Sequence, residues 1–376
     1  MTNYDTRYYD EVNQIPDSVF ELLGCNKSFF FEKDFLDAFA KANSALEYRY
    51  LIINAEGKPL ALVIMQRVSV ALDSTPEKLS IQNRIARSLT CYLNNRKVDI
   101  AVCGNLFLSG NYGVFIKEGA HSPLVYEHIA QEMKPLQTQK KASIFFLKDF
   151  KNEELSHLSK VGDHQFQPFQ VEPNMRLKLQ WESFQDYKSS LRSKYRVKIN
   201  KADEKSSALT LRSFEAADIR KHKSRLQELY CNITDRAMFK AVDMNMDTYA
   251  LLKERFRESV HINTYWHLNT MVGFATAFHV GNQLEAHFIG LDYELNKKLS
   301  IYPRILNDYV RLGLELGCDE VNFGRTSSEI KSTLGARPED LTCYVRHRRT
   351  VANLFFKPLV RQIKMTEYKQ HRPFKK

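Results

Sequence analysis

The chain has 376 residues, 43% hydrophobic and 26% charged, with a formal net charge of +11, which suits a soluble globular protein long enough for two domains. No apolar run approaches the roughly 18 residues that span a bilayer, and the opening MTNYDTRYYDEVNQ lacks the apolar segment of a secretory signal, so the expected compartment is the cytoplasm. The six cysteines are scattered, with no CxxC or Cys/His pair at zinc spacing, which argues against a structural zinc site and for reduced thiols.

The positive charge is localised. Residues 188–205 hold seven Lys/Arg against two acids, and residues 346–376 hold ten against one, so the remainder is slightly acidic. Localised positive charge implies an anionic partner: a phosphate-bearing cofactor, nucleic acid or anionic lipid.

Residues 1–28 show no clear period and read as an irregular lead-in. Over 32–46, Phe35, Leu36, Phe39 and Ala42 share one helical face. EYRYLIIN (47–54) and KPLALVIMQRVSV (58–70) flank Glu56-Gly57 and read as a β-hairpin. VDIAVCGNLFLSGNYGVFI (98–116) gives one or two strands broken at Gly104, Gly110 and Gly113. HSPLVYEHIAQEMKPL (121–136) predicts a helix with Ser122 as N-cap and Pro123 at its first position. ASIFFLKDF (142–150) and NMRLKLQW (174–181) read as strands.

The second half repeats the order. Residues 213–233 and 247–258 are helical, and INTYWHL (262–268), MVGFATAF (271–278) and QLEAHFIGL (283–291) are strands. YPRILNDYVRLGLELG (302–317) is an amphipathic helix with Pro303 near its start and Gly317 at C′. DEVNFG (319–324) is a strand. Helix, hairpin, long strand, helix, strand thus occurs over about 32–150 and again over about 219–325, the pattern of a tandem duplication.

Between the two lies WESFQDYKSSLRSKYRVKINKADEKS (181–206), which predicts one long basic helix. Tyr187, Leu191, Tyr195 and Ile199 form its apolar stripe and leave Arg192, Lys194, Arg196, Lys198 and Lys201 to solvent or ligand. The expected organisation is a first domain over 1–180, a second over 181–345 and a basic tail over 346–376.

Ligands of open α/β sheets bind at the carboxyl ends of strands. Past the strand 319–324, Gly324-Arg325-Thr326 with Lys331, Gly335 and Ala336 supplies a cation, a hydroxyl and two flexible backbone points. Together with SLRSKYRVKINKA (190–202), VGFATAF (272–278), HFIGLDY (287–293) and the helix 302–317, NFGRTSSEIKSTLGA (322–336) resembles the GNAT acyltransferase superfamily. The resemblance is to its tandem branch with the Fem-type peptidyl transferases and the BioF2-like (acetyltransferase 6) domain, and it covers about 183–340.

It implies an α/β (α+β) fold of two tandem GNAT-like domains, each a mixed, mostly antiparallel sheet flanked by helices. It also implies an N-acyltransferase that moves an acyl group from acyl-CoA onto an amine of a cell-envelope, lipid or glycan precursor, with no tightly bound cofactor. Aminoacyl-tRNA is the rival donor, and a non-enzymatic nucleic-acid or membrane-binding adaptor the rival class. Ordinary GNATs cradle the coenzyme A pyrophosphate with a glycine-containing Gln/Arg-x-x-Gly-x-Gly/Ala loop. The matching GLDYELNKKLSIYP (290–303) lacks those glycines, and Lys297 and Lys298 would supply the charge instead. Fem-type enzymes place the lysine of a Phe-Lys-x-x-x-Gly motif at the reaction centre. Lys331 matches that position, with Ile330 in place of the aromatic.

Acyl transfer to an amine requires removal of a proton, stabilisation of an oxyanion and alignment of two substrates. Lys331 is the expected cation, supported by Arg325. Thr326 either orients substrate or caps the following helix with Ser327 or Ser328. Glu285 and His287 stand at i and i+2 of a strand, so they share a face and are the candidate bases; Asp292 closes that strand. Tyr293, Tyr302, Gly324 and Gly335 are candidate substrate contacts, as are Arg192, Lys194 and Arg196. No Walker, HExxH, GxSxG or GxGxxG pattern appears, and no metal is expected. The tail, with Leu354, Phe355, Phe356, Leu359, Val360 and Ile363 among cations, either lies on an anionic membrane surface or packs as a terminal segment. A peripheral place at the inner face of the membrane follows from the first alternative.

Overall fold

The structure, a computed structural model, describes residues 4–71, 97–133, 142–236, 241–360, 365 and 367–375. The chain divides into two compact units, Met1–Val171 with Asp340–Thr366 and Glu172–Glu339 with Glu367–Lys376.

In the first unit the sheet order is β1 (Tyr4–Tyr9), β2 (Glu47–Ala55), β3 (Lys58–Ala71), β4 (Lys97–Cys103), β6 (Ile144–Lys151) and β13 (Arg337–His347), with β5 (Val114–Ile116) also on β3. Neighbours run antiparallel except β4 and β6, which are parallel. Helices α1 (Asp17–Leu23), α2 (Lys33–Ala42) and α3 (Ser122–Glu132) accompany the sheet. The β2–β3 turn has Glu56 at φ 53° and Gly57 at φ 75°; two successive left-handed residues match the twist of a hairpin. Val125 and Ile129 of α3 are buried with Ile53, Val63, Phe145 and Leu147 of the strands in one core.

The second unit repeats the plan. Its sheet runs β7 (Gln167–Lys178), β12 (Glu320–Asn322), β11 (Gln283–Leu291), β10 (Thr270–Val280), β9 (Val260–His267) and β8 (Leu209–Ser213), again with one parallel pair, β11 and β12. Its helices are α4 (Phe184–Ser190), α5 (Ser193–Lys205), α6 (Ala216–Lys221), α7 (Lys223–Thr234), α8 (Asp247–Phe256), α9 (Tyr293–Leu299), α10 (Ile301–Glu315) and α11 (Ser328–Thr333). Each unit is therefore a mixed, mostly antiparallel sheet with helices.

Several expectations change. The lead-in contains β1, an edge strand paired along its length with β2, and α1. The N-cap of α3 is His121, one residue before Ser122. The single basic helix is two, because Leu191 and Arg192 are extended at ψ 146° and 147°. The end of the chain causes the break. Arg192 donates its N–H to Pro373 O at 2.8 Å, Lys375 donates to Ser190 O at 2.9 Å, and Leu191 bridges to Phe374. The apolar stripe survives, with Tyr187, Leu191, Tyr195 and Ile199 all buried. The basic stretch 346–376 is shared out: α12 (Thr350–Val360) lies in the first unit and residues 367–375 pack in the second. Phe355, Phe356 and Leu359 have side chains outside the described residues, as does all of Ile363 and Cys91.

Gly290 shows how tightly β11 is covered. A Cβ there would stand 2.2 Å from the Phe274 ring and 2.7 Å from the backbone of Leu229 in α7. Overpacking of this kind costs about 1–3 kcal/mol. Gly290→Ala should therefore lower the melting temperature in a thermal denaturation scan, and an unchanged midpoint would mean that α7 does not press on this strand.

Candidate active site

The parallel pair in the second unit is short. Gln283, Leu284 and Glu285 register with Glu320, Val321 and Asn322, after which β11 continues to Leu291 while β12 ends. The chain beyond Asn322 stays with β7, through Phe323 N–H to Met175 O and Met175 N–H to Gly324 O. The two strands part from Glu285 and Asn322 onward. β11 also carries a bulge, with His287 and Phe288 opposite Thr276 of β10, where the register shifts between Ala275 and Ala277.

The turn past β12 is held in an unfavourable backbone conformation. Gly324, Thr326 and Ser327 have φ of 68°, 63° and 52°, and for Thr and Ser left-handed backbone is strain that surrounding contacts must offset. Lys331 of α11 offsets it. Its side chain is 4% exposed, and its Nζ donates to Gly324 O at 3.1 Å and Arg325 O at 2.5 Å. Burial pulls its pKa from the ordinary lysine range to about 7, against the opposing pull of Glu172. Tyr302, in the first turn of α10, hydrogen-bonds Ser327, and burial pushes its phenol up to about 12. Thr326 and Ser327 are exposed, and Ser327 is the N-cap of α11 without a side-chain cap bond.

Glu285 and His287 do share a face of β11, in different surroundings. Glu285 is 8% exposed and accepts from Asn322 Nδ2 at 2.6 Å. Arg176 of β7 lies 3.6 Å from it and also pairs with Glu320 and Glu339. Burial raises the Glu285 pKa, partly countered by Arg176 and Asn322. Asn322 Oδ1 accepts the Gly324 N–H at 2.9 Å, so Glu285, Asn322, Gly324 and Lys331 form one hydrogen-bonded chain from strand to turn. His287 instead contacts the Tyr249 hydroxyl at 2.6 Å and the rings of Phe278 and Phe288. Asn322 and Arg176 were not singled out by sequence: an asparagine in a short strand and an arginine in an alternating one carry no local signal.

The remaining candidates are dispersed. Asp292 caps α9, accepting from Glu294 and Leu295 N–H at 3.0 and 3.2 Å. Lys297 and Lys298 are exposed in the last turn of α9. Tyr293 stacks under the Arg236 guanidinium at 3.6 Å. Gly335, at φ 103°, has Phe374 where a Cβ would be, 2.3 Å away. Arg192 donates Nε to Phe374 O, Lys194 lies over the Tyr195 ring, and Arg196 is half-buried. Among the described residues no helix is long and apolar enough to cross a membrane, and no group of three or more His, Cys, Asp or Glu is placed to hold a metal.

No protein-family model and no curated protein matches the sequence. Solved structures do match in fold. FemX aligns at 10% identity over 95% of this chain and 100% of its own, with a TM-score of 0.53. A tandem GNAT protein from the clavulanic acid biosynthesis pathway aligns at 9% identity over 92% of this chain and 99% of its own, at 0.54. L-PGS from Bacillus licheniformis aligns at 11% over 90% and 96%, at 0.51. The chain has the tandem GNAT, Fem-like fold.

Two outcomes follow. A lysine titrating near 7 when folded and near 10.5 when unfolded binds more protons in the unfolded chain between those values, so its contribution favours folding increasingly as pH rises from about 7 towards 10.5. Urea unfolding at pH 7, 8 and 9 should show the native protein gaining stability relative to Lys331→Met; parallel curves would mean that the amine is not desolvated. Phe374→Ala should cost about 2 kcal/mol by uncovering Gly335 and its ring neighbours Trp181 and Tyr187, checked by the same unfolding assay.

Proposed function

We propose that the protein is an N-acyltransferase whose chemistry takes place in the second unit, where β11 and β12 part beside the Lys331 turn. The observation that carries this reading is the desolvated Lys331 behind a strained turn at a strand end, in a fold shared with FemX and a tandem GNAT protein. Perturbed amines and stored backbone strain concentrate at reaction centres. The acceptor nitrogen attacks the donor's acyl carbon, the new C–N bond replaces the bond to the leaving oxygen or sulfur, and the amine's proton passes to the leaving group. A lysine titrating near neutrality can take that proton and return it. Tyr302 and Ser327, joined by a hydrogen bond at the turn, are positioned to orient the donor. Glu285 acts through Asn322 to fix Gly324. The acceptor is an amine of a cell-envelope, lipid or glycan precursor.

For the donor, an aminoacyl ester of tRNA is placed ahead of acyl-CoA. A coenzyme A pyrophosphate needs open backbone N–H groups. Asp292 takes two at α9, Asn296 takes that of Tyr302 at α10, and Pro303 has none. Arg192, Lys194 and Arg196, at the start of α5, support a polyanionic donor.

Melting temperatures with acetyl-CoA, long-chain acyl-CoAs, free coenzyme A and bulk tRNA test the donor. A ligand that binds the folded state raises the midpoint with concentration. Salt-sensitive stabilisation by tRNA alone is expected; saturable stabilisation by one acyl-CoA class without tRNA would reverse the order. Lys331→Ala should reduce transfer about 10²–10⁴-fold, its folding checked by melting temperature, and unchanged cellular activity of that variant would favour a non-enzymatic adaptor.

A further inference from the structure

The second unit has a groove of about 500 Å³ between α5, the start of α10, α11 and His371, within the range of small-molecule sites. Its floor is apolar, formed by Ile199, Pro303, Leu306 and Leu334, with Ile330 beside them. One rim is cationic. Lys198, Lys201 and Lys205 follow each other at three- and four-residue spacing on α5, so they form a single stripe. Among the described residues none of the three is in an ion pair. The one carboxylate lining the groove, Glu329, is met by His371 Nε2 at 3.3 Å. Asp203, on the same helix, is engaged by Arg311 and by Asn307 at 3.0 Å.

The groove meets anions with side chains rather than backbone. At the N-terminus of α10 the Tyr302 N–H is taken by Asn296 and Pro303 has no N–H, so a pyrophosphate would find no cradle there. Ammonium groups on flexible stems suit a compact phosphate whose position varies, and an apolar floor suits a hydrocarbon chain. A bare polyanion would use the stripe and make no use of the apolar floor.

We infer that this groove binds an anionic amphiphile of the phospholipid type, its acyl chain along Ile199, Pro303, Leu306 and Leu334 and its single phosphate on Lys198, Lys201 and Lys205. The groove shares α11 with the Lys331 turn, but the inference concerns lipid binding and does not depend on the transfer chemistry.

Calorimetric titration of the full chain with dioctanoyl phosphatidylglycerol, below its micelle concentration, tests it. Dioctanoyl phosphatidylcholine, glycerol phosphate and bulk tRNA are the comparison arms. Saturable binding of the anionic lipid is expected, at least about tenfold tighter than either the zwitterionic lipid or glycerol phosphate. Reversal of two cations by Lys198→Glu with Lys201→Glu should weaken it by about tenfold or more, the order expected for loss of charged contacts to a phosphate. Thr333→Trp should block the groove, whereas Lys221→Glu, a single charge reversal on α6, should not matter. Both lysines are exposed, so the charge variants keep the fold, which their melting temperature verifies, and they carry the test if the tryptophan variant fails to fold. The inference is overturned if no lipid binds, if glycerol phosphate binds as tightly as the lipid, if a folded Thr333→Trp variant binds lipid normally, or if tRNA binds and displaces the lipid only through the lysines with no contribution from the chain.

Discussion

The second unit depends on one contact, the Lys331 amine on the carbonyl oxygens of Gly324 and Arg325. Three left-handed residues in four are not a stable turn in isolation, and two of them are not glycine. Hydrogen bonds from a buried amine supply what the local sequence lacks, while burial makes that amine costly to charge. The same atoms thus stabilise a conformation and create a group that titrates near neutral pH. Asn322 extends the contact to Glu285, so the register of β11 against β12 and the shape of the turn are set together. Where the strands stop pairing is consequently also where the titratable groups converge.

That arrangement has a support at the chain's far end. Phe374 fills the space over Gly335, immediately after α11, and sits against Trp181 and Tyr187, while Tyr187 donates its hydroxyl to Leu334 O at 2.8 Å. Ser332, next to Lys331, receives the His371 N–H at 3.1 Å. The segment 367–375 therefore holds the Glu329–Ser332 side and the end of a six-residue helix too short to be stable alone. It does so at a helix break it imposes itself, between α4 and α5.

Periodicity exposed most of this fold. The hairpin 47–71, the strands 260–291 and the helix α10 are long and strongly patterned, and each forms near its expected place. What escaped is what depends on partners distant in sequence. β1 has little pattern of its own and exists through pairing with β2; β13 completes the first unit's sheet from the other end of the sequence. Residues 181–206 read as one helix because their apolar stripe is continuous, and nothing local announces that Pro373 and Lys375 compete for the backbone at 190–192. The same limit governs the site. A lysine past a strand end is visible in sequence, but its burial is not. Glu285 and His287 are correctly placed on one face, yet only packing separates an acid bound into an ionic network from an imidazole enclosed by aromatic rings.

Capping has a consequence for recognition. An α-helix N-terminus binds anions through N–H groups that would otherwise lack partners, and a side chain that satisfies those groups removes the site without changing the helix. Asp292 does this at α9 and Asn296 at α10. Asp292 adds a negative charge where a phosphate would otherwise be favoured. Positive charge beside the groove consequently comes from lysines on α5, which are exposed and tolerant of where an anion sits. Backbone cradles select a phosphate by geometry, whereas lysine stripes attract it by charge and leave discrimination to whatever lies beside them. Beside this stripe lies an apolar floor, so selectivity there must come from the hydrocarbon part of a ligand.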